Sequence, residues 1–177
     1  MPWTNGPLKA FHGTDAASAS AIVANGVDPT KGRPTTDFGQ GFYVTTSLQQ
    51  AMNWALRKAN YPHVRPSRRP ALVYFEIDRE KLAALDGLVF VMEDPDSDYW
   101  DFVAHCRAGI RGHGRPHQSY YDVVMGPVSL WRQKHTIANV DQISFHTPNA
   151  GHVASQAMSP KIIDVLSFPS LSRYVNL

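Results

Sequence analysis

Along the chain, short apolar runs alternate with segments rich in Gly, Pro and polar residues. The first run, Leu8 to Gly13 (LKAFHG), reads as a short buried strand. Asp15 or Ser18 can cap a helix over Ala16 to Asn25, and Gly26 stands where a helix C-terminal glycine belongs. Residues 27–41, VDPTKGRPTTDFGQG, then form a long loop, and loops of that length inside compact domains often carry function. GFYVTT, from Gly41 to Thr46, has the aromatic and β-branched residues of a strand. Ser47 and Gln50 make a capping-box pattern. Leu48, Ala51, Met52, Ala55 and Leu56 follow at helical spacing, so a helix is expected from Leu48 to Asn60, stopped by Pro62.

The second half is less regular. YPHVRPSRRP, 61–70, is a basic, proline-rich connector, and Ala71 to Asp78 (ALVYFEID) is a strand. Short helices are expected at Arg79 to Leu85 and Asp98 to Arg107, with a basic, glycine-containing loop over 107–117. YDVVMGPV, 121–128, reads as a strand ended by Gly126 and Pro127. From Asn139 to Thr147, Gln142, Ser144 and His146 alternate with Ile143 and Phe145, the pattern of a strand buried on one side. Ile162 to Phe168 is a candidate last strand. The sum is a mixed α+β domain, with about six strands and three or four helices in an order unlike a doubly wound βαβ sheet.

Composition narrows the picture. A chain of 177 residues with 43% hydrophobic and 18% charged residues can build one core, so residues 1–177 are read as a single domain. A net charge of +2 does not by itself predict nucleic-acid binding. The one cysteine, Cys106, allows neither an internal disulfide nor a multi-cysteine zinc site. It falls inside a predicted helix, where an inert buried thiol is the commoner case. No apolar stretch is long enough to span a membrane, and the first residues lack a secretory pattern, so no membrane partner and a cytoplasmic location are expected. Phosphate-loop, HExxH and GxSxG motifs are missing. FGQGF contains GxG without the third glycine, and His113 and His117 are separated by Gly114 and Pro116, which disfavour a helical metal pair. No metal is expected.

Three segments stand out: His12-Gly13-Thr14 after a strand, DFGQGFYVTTSLQQAMNWA with Tyr43 and then Trp54, and DQISFHT with Gln142. Together they resemble the ADP-ribosyltransferase superfamily, in the His-Tyr-Glu branch that includes diphtheria toxin and the poly(ADP-ribose) polymerases. The resemblance spans residues 8 to 148 and looks closest to small bacterial members. It implies two small packed β-sheets with flanking helices around an NAD cleft. It also implies transfer of one ADP-ribose from NAD to a macromolecular acceptor, protein or nucleic acid, with nicotinamide released.

By this resemblance His12 hydrogen-bonds the adenine-side ribose, helped by Thr14, and the Gly13 backbone holds the nicotinamide carboxamide. Phe38, Gly41 and Ala51 are counted with them as NAD-binding, and Tyr43 and Trp54 sandwich the cationic nicotinamide ring, a contact worth about 0.5–2 kcal/mol. Arg33 in the long loop can pair with the pyrophosphate, and Asp37 can orient the loop or a ribose hydroxyl. Arg107, Asp122 and the Arg111–Arg115 loop can face the acceptor. Catalytic roles fall to His12, Tyr43 and Gln142. Two positions depart from the pattern. Gln142 stands where the branch has a glutamate, and an amide carries no charge and cannot be a general base. Ala51 stands where some relatives place a serine on the carboxamide. Chain elongation is therefore not expected. NAD glycohydrolysis, a non-catalytic NAD- or ADP-ribose-binding module, and a pure interaction domain remain as alternatives. The size of the chain raises the expectation of a toxin or effector, delivered into a target cell or held by a neutralising partner protein.

Overall fold

The computed structural model describes residues 5–60, 69–156 and 161–165. Most of the predicted 61–70 connector, and the end of the Ile162–Phe168 strand, lie outside them. The described residues form an α+β unit of seven strands, five α-helices and short 3-10 turns. Strand β1 (Leu8–Asp15) leads into helix α1 (Ala16–Asn25), where the Asp15 side chain accepts from the Ser18 N–H as the cap. After the long loop come β2 (Phe42–Val44) and α2 (Leu48–Ala59). Ser47 caps α2 by accepting from the Gln50 N–H, but the reciprocal half of the box is not made. The Gln50 side chain instead accepts from Thr45 Oγ1, which in turn accepts from the Ser47 N–H.

Strand β3 (Pro70–Ile77), α3 (Arg79–Ala83), β4 (Gly87–Val89) and α4 (Ser97–Arg107) follow. The chain then runs through β5 (Val123–Leu130), β6 (His135–Phe145), α5 (Pro148–Ser155) and β7 (Lys161–Asp164). Two small sheets result, with orders β1-β3-β7 and β2-β6-β5-β4. Every pairing is antiparallel except β4 with β5. The expected pair of small sheets is therefore present.

Several boundaries differ from the sequence reading. Gly126 and Pro127 lie inside β5 rather than ending it, and the register shifts between Pro127 and Ser129. Such an irregularity accommodates a residue that cannot donate to the ladder. Strand β6 starts at His135, not Asn139, and Asn139 sits within it at φ 58°. Strand β4 was too short to leave a periodic signature. Helix α5 is an addition to the elements expected from the sequence, and it begins with Thr147 as cap and Pro148 in its first turn.

The core lies between the sheets. Ala10, Val73, Phe75 and Ile77 of the first sheet meet Phe42, Val44, Val123, Ile143 and Phe145 of the second. Each such aromatic or branched side chain gains about 1.5–3 kcal/mol on burial. The outer face of the first sheet is covered by α2, through Ala51, Met52 and Ala55 against Leu72. This contact is unusually close. A Cβ on Gly13 would lie 2.0 Å from the Ala51 carbonyl oxygen and 3.0 Å from the Ala55 nitrogen. Only glycine lets the α2 backbone rest on β1 there.

Gly13→Ala is expected to push α2 off the sheet and destabilise the fold by about 3 kcal/mol, the upper end for an overpacked core. Chemical denaturation of the purified variant measures it, and an unchanged midpoint would show that α2 can move without cost.

Candidate functional site

Among the described residues the two sheets touch edge to edge at one bridge, where Phe11 and Thr45 exchange backbone hydrogen bonds of 2.8 and 3.0 Å. Backbone groups alternate sides along an antiparallel strand. Gly13, two residues after Phe11, therefore turns its N–H and C=O toward the same edge. Strand pairing goes no further, because the His12 imidazole takes the Tyr43 carbonyl instead, Nδ1 to O 2.6 Å. The sheets part at this point, and the split is lined by His12, the Gly13 backbone and the Tyr43 backbone.

A carbonyl can only accept, so His12 Nδ1 carries the proton and Nε2 keeps a free lone pair. His12 also stacks on Phe42, ring centroids 4.4 Å apart. Burial, reinforced by the Lys58 charge, pushes its pKa down to about 4, so the ring is neutral at pH 7. Thr14 is fully buried, and its hydroxyl accepts from Lys58 Nζ at 3.3 Å. Trp54 lies on the neighbouring flank of α2 and is 45% exposed, with the Arg57 guanidinium 5.9 Å from its ring. His12, Gly13, Thr14, Ala51 and Trp54 are thus gathered around β1 and α2.

The remaining predicted residues gather on the other face of the second sheet. There Tyr43 of β2, Val124 of β5, Gln142 and Ser144 of β6 and His146 just after it are covered by Phe38 and by Tyr99 and Val103 of α4. The alternation seen in the sequence is real, but both faces of the end of β6 are buried, as are all residues from Asp141 to His146. The polar face is covered by residues 36–41 rather than by water. The Tyr43 hydroxyl is held by that loop. It donates to the Gly39 carbonyl (2.8 Å), accepts from the Phe38 N–H (3.0 Å) and lies 2.7 Å from Thr36 Oγ1. Burial raises its pKa far above the ordinary value. Its ring neighbours are Phe38 and His146, while Trp54 lies on α2. Gly41 is required for packing, since a Cβ there would fall 2.7 Å from His146 Nδ1.

Asp37 is the hub of this face. It is 3% exposed and accepts from the Ser129 N–H (2.8 Å), Ser129 Oγ (2.6 Å), Gln142 Nε2 (2.8 Å), Arg107 Nε (2.9 Å) and Arg107 Nη2 (2.5 Å). Its oxygens are bonded within the protein, so of the two roles expected of it, orienting the loop or a ribose hydroxyl, this arrangement fits the first. Arg107 is likewise used inside the fold rather than toward an acceptor. Gln142 donates to Asp37 and also to the Pro127 carbonyl, both at 2.8 Å, so both amide hydrogens are spent and only Oε1 remains. An amide is what this position demands: a glutamate would set a second carboxylate against Asp37 and a bare carbonyl. Arg33 is exposed. Asp122 accepts from Thr147 Oγ1 and the Asp86 N–H, and Arg115 pairs with Asp86 over the Tyr121 ring.

His146 and His113 were not singled out for this site. His146 Nδ1–H donates to the Gln40 carbonyl (2.7 Å), leaving Nε2 to accept from Ser144 Oγ (2.7 Å). His113 Nε2–H donates to the Phe38 carbonyl (3.0 Å), and Nδ1 accepts from the Tyr121 N–H (3.0 Å). The rings meet edge to face at 4.4 Å. The polar residues at every second position of β6 were the available signal for His146. Burial pushes His113 to about 4, and burial with the nearby His113 pushes His146 to about 3. Cys106 lies under the same loop, and burial beside Asp37 raises its thiol to about 12, so it is no nucleophile at neutral pH. Among the described residues no group of three or more His, Cys, Asp or Glu side chains is placed to hold a metal, and no helix is long and apolar enough to cross a membrane.

Two outcomes follow from this chemistry. His12, His113 and His146 each bind a proton far more weakly in the fold than in the unfolded chain, where the pKa is about 6.5. Unfolding takes up protons below that value, so stability is full above about pH 6.5 and falls as pH drops toward about 4. Thermal unfolding across this range, with proton uptake measured by calorimetry, checks it. Gln142→Glu is expected to cost about 2–4 kcal/mol at pH 7 and to regain part of it on acidification, opposite in slope to the parent, because a carboxyl squeezed beside Asp37 folds more readily protonated.

A split between two sheets, a neutral histidine at its mouth and a loop clamped over the aromatic strand are the features to be placed among known proteins. No curated protein matches the chain. A family model does match, over residues 8–140, which takes in β1, the clamped loop, both β2 and α2, and most of β6 while stopping short of Gln142. By that match the chain belongs to the family described as protein of unknown function, DUF3990.

Proposed function

We propose that the protein transfers a single ADP-ribose from NAD to a macromolecular acceptor, with nicotinamide as the leaving group. The observation that carries this reading is the split beside the Phe11–Thr45 bridge. There His12 presents an unprotonated Nε2, and Gly13 turns an N–H and a C=O to the same edge. An acceptor nitrogen suits a ribose hydroxyl, and a paired donor and acceptor suit a carboxamide. The order of His12-Gly13-Thr14, Gly41-Phe42-Tyr43 and Trp54 along the chain supports the same reading by its resemblance to the His-Tyr-Glu ADP-ribosyltransferases.

In the proposed reaction the bond between ribose C1′ and the nicotinamide nitrogen breaks, and its electron pair leaves with the neutral nicotinamide. A lone pair of the acceptor forms the new bond at C1′, and the acceptor's proton passes to solvent. Gln142 cannot take that proton. Buried under residues 36–41, Gln142 is apart from the split, and nothing at position 142 supplies negative charge to an oxocarbenium-like ribose. The reaction therefore suits an acceptor that is already nucleophilic and stops after one transfer.

One observation favours a second reading, a module that binds NAD or ADP-ribose without turnover. Both hydrogens of the Gln142 amide are locked onto Asp37 and Pro127, so the third motif position serves the fold.

Nicotinamide release from NAD, measured with a cell lysate as the source of acceptors, decides between them. Transferase activity predicts release with labelled product, reduced about tenfold or more in His12→Ala by loss of the hydrogen bond to ribose. Release without label would mean hydrolysis. Binding of NAD without release would establish the module, and neither binding nor release would overturn both readings.

A further inference from the structure

The sequence offers Arg33, which is exposed, as the cation for the phosphates of the dinucleotide. Another cation stands at the split. Lys58, in the last turn of α2, reaches across to β1 and donates to the buried Thr14 hydroxyl at 3.3 Å, two residues beyond His12. It is near enough to His12 for its charge to weaken proton binding on the imidazole. Trp54 lies one helical turn earlier on the same side of α2, exposed, with Arg57 beside its ring. A lysine, a second cation and an exposed indole thus line one flank of the helix next to the mouth of the split. Cations next to an aromatic face suit a ligand that carries both phosphate and a planar ring.

We infer that Lys58 is the phosphate-binding residue of the site, holding a phosphate of the dinucleotide next to Thr14 and His12. This rests on the reading of the split as a dinucleotide site. The phosphate has two sources. It is the diphosphate, common to NAD, NADP and ADP-ribose, or the 2′-phosphate of NADP, which would sit beside the residue expected to hold the adenine-side ribose. In the second case Lys58 sets which dinucleotide the protein prefers, since a cation at that ribose admits the extra phosphate.

The test is calorimetric binding of NAD, NADP, ADP-ribose, inorganic pyrophosphate and nicotinamide to wild type, Lys58→Gln and Lys58→Arg. Because Lys58 also bonds the buried Thr14 hydroxyl, thermal unfolding of each variant is measured alongside, and a loss of binding counts only at a temperature where that variant is folded. Loss of a charged hydrogen bond should weaken phosphate-bearing ligands by about tenfold or more, with a shallower salt dependence and with partial recovery in Lys58→Arg. Nicotinamide, which has no phosphate, should be unaffected. An equal loss for NAD, NADP and ADP-ribose assigns the diphosphate, and a loss confined to NADP assigns the 2′-phosphate. Unchanged binding of every phosphate compound by Lys58→Gln, or no binding of any of them by wild type, overturns the inference. Pyrophosphate or ADP-ribose held through Lys58, in a protein that never binds NAD, would uphold the lysine and defeat the dinucleotide reading.

Discussion

A buried carboxylate organises half of this molecule. Asp37 belongs to a loop with no regular structure of its own, yet it collects donors from β5, β6 and α4. A charge this deep is tolerable only when its hydrogen bonds are filled. Arg107 supplies the opposite charge, and Ser129 and Gln142 fill the remaining positions. With Asp37 fixed, Phe38 is driven into the aromatic cluster under α4, and the next residues can clasp the Tyr43 hydroxyl. The loop is thus part of the second sheet's outer layer. The identity of residue 142 follows from the same constraint: the neighbour of a saturated carboxylate must be a donor.

The other half depends on closeness rather than charge. The α2 backbone sits against β1 because Gly13 has no side chain to hold it away, and that contact brings Trp54 and Lys58 to the edge where the sheets separate. Where the strands would otherwise continue to pair, a histidine ring replaces a peptide group as the partner of the Tyr43 carbonyl. The same substitution marks where the sheets part and fixes which imidazole nitrogen carries the proton. Structure and proposed chemistry therefore meet in one hydrogen bond.

Much of this was legible in the sequence where local signals were strong. The caps at Asp15 and Ser47, the apolar spacing of α2 and the β-branched run of β3 gave their elements directly. The motif residues of β1 and β2 do lie on adjacent strands, joined by the His12–Tyr43 contact. What could not be read was tertiary. Nothing local shows that Pro127 is carried by a register shift in β5, or that three residues at Gly87 pair in parallel with it. Nor does local pattern reveal that the polar positions of β6 are buried by a loop from a hundred residues earlier, with Gln142 reaching Asp37 across a separation of 105. Charges expected to face a ligand, at Asp37 and Arg107, instead satisfy each other, because the need to neutralise a buried group is visible only once the burial is known.

The order of synthesis gives the strand pairings a further meaning. Strand β2 has three residues and is paired in its sheet only with β6, among the described residues. The loop before it is anchored at its start by the Val27 N–H on Ser155 Oγ, a separation of 128 residues. Neither partner exists while the first two-thirds of the chain are being made. The first sheet can begin to form early through β1 and β3, whereas the face carrying Tyr43 has to wait for the arrival of β6 and α5. Contacts of such long range are slow to close. A nascent chain therefore has His12 in place on a strand well before Tyr43 has a sheet to belong to, and the split does not exist until translation of the domain is nearly done.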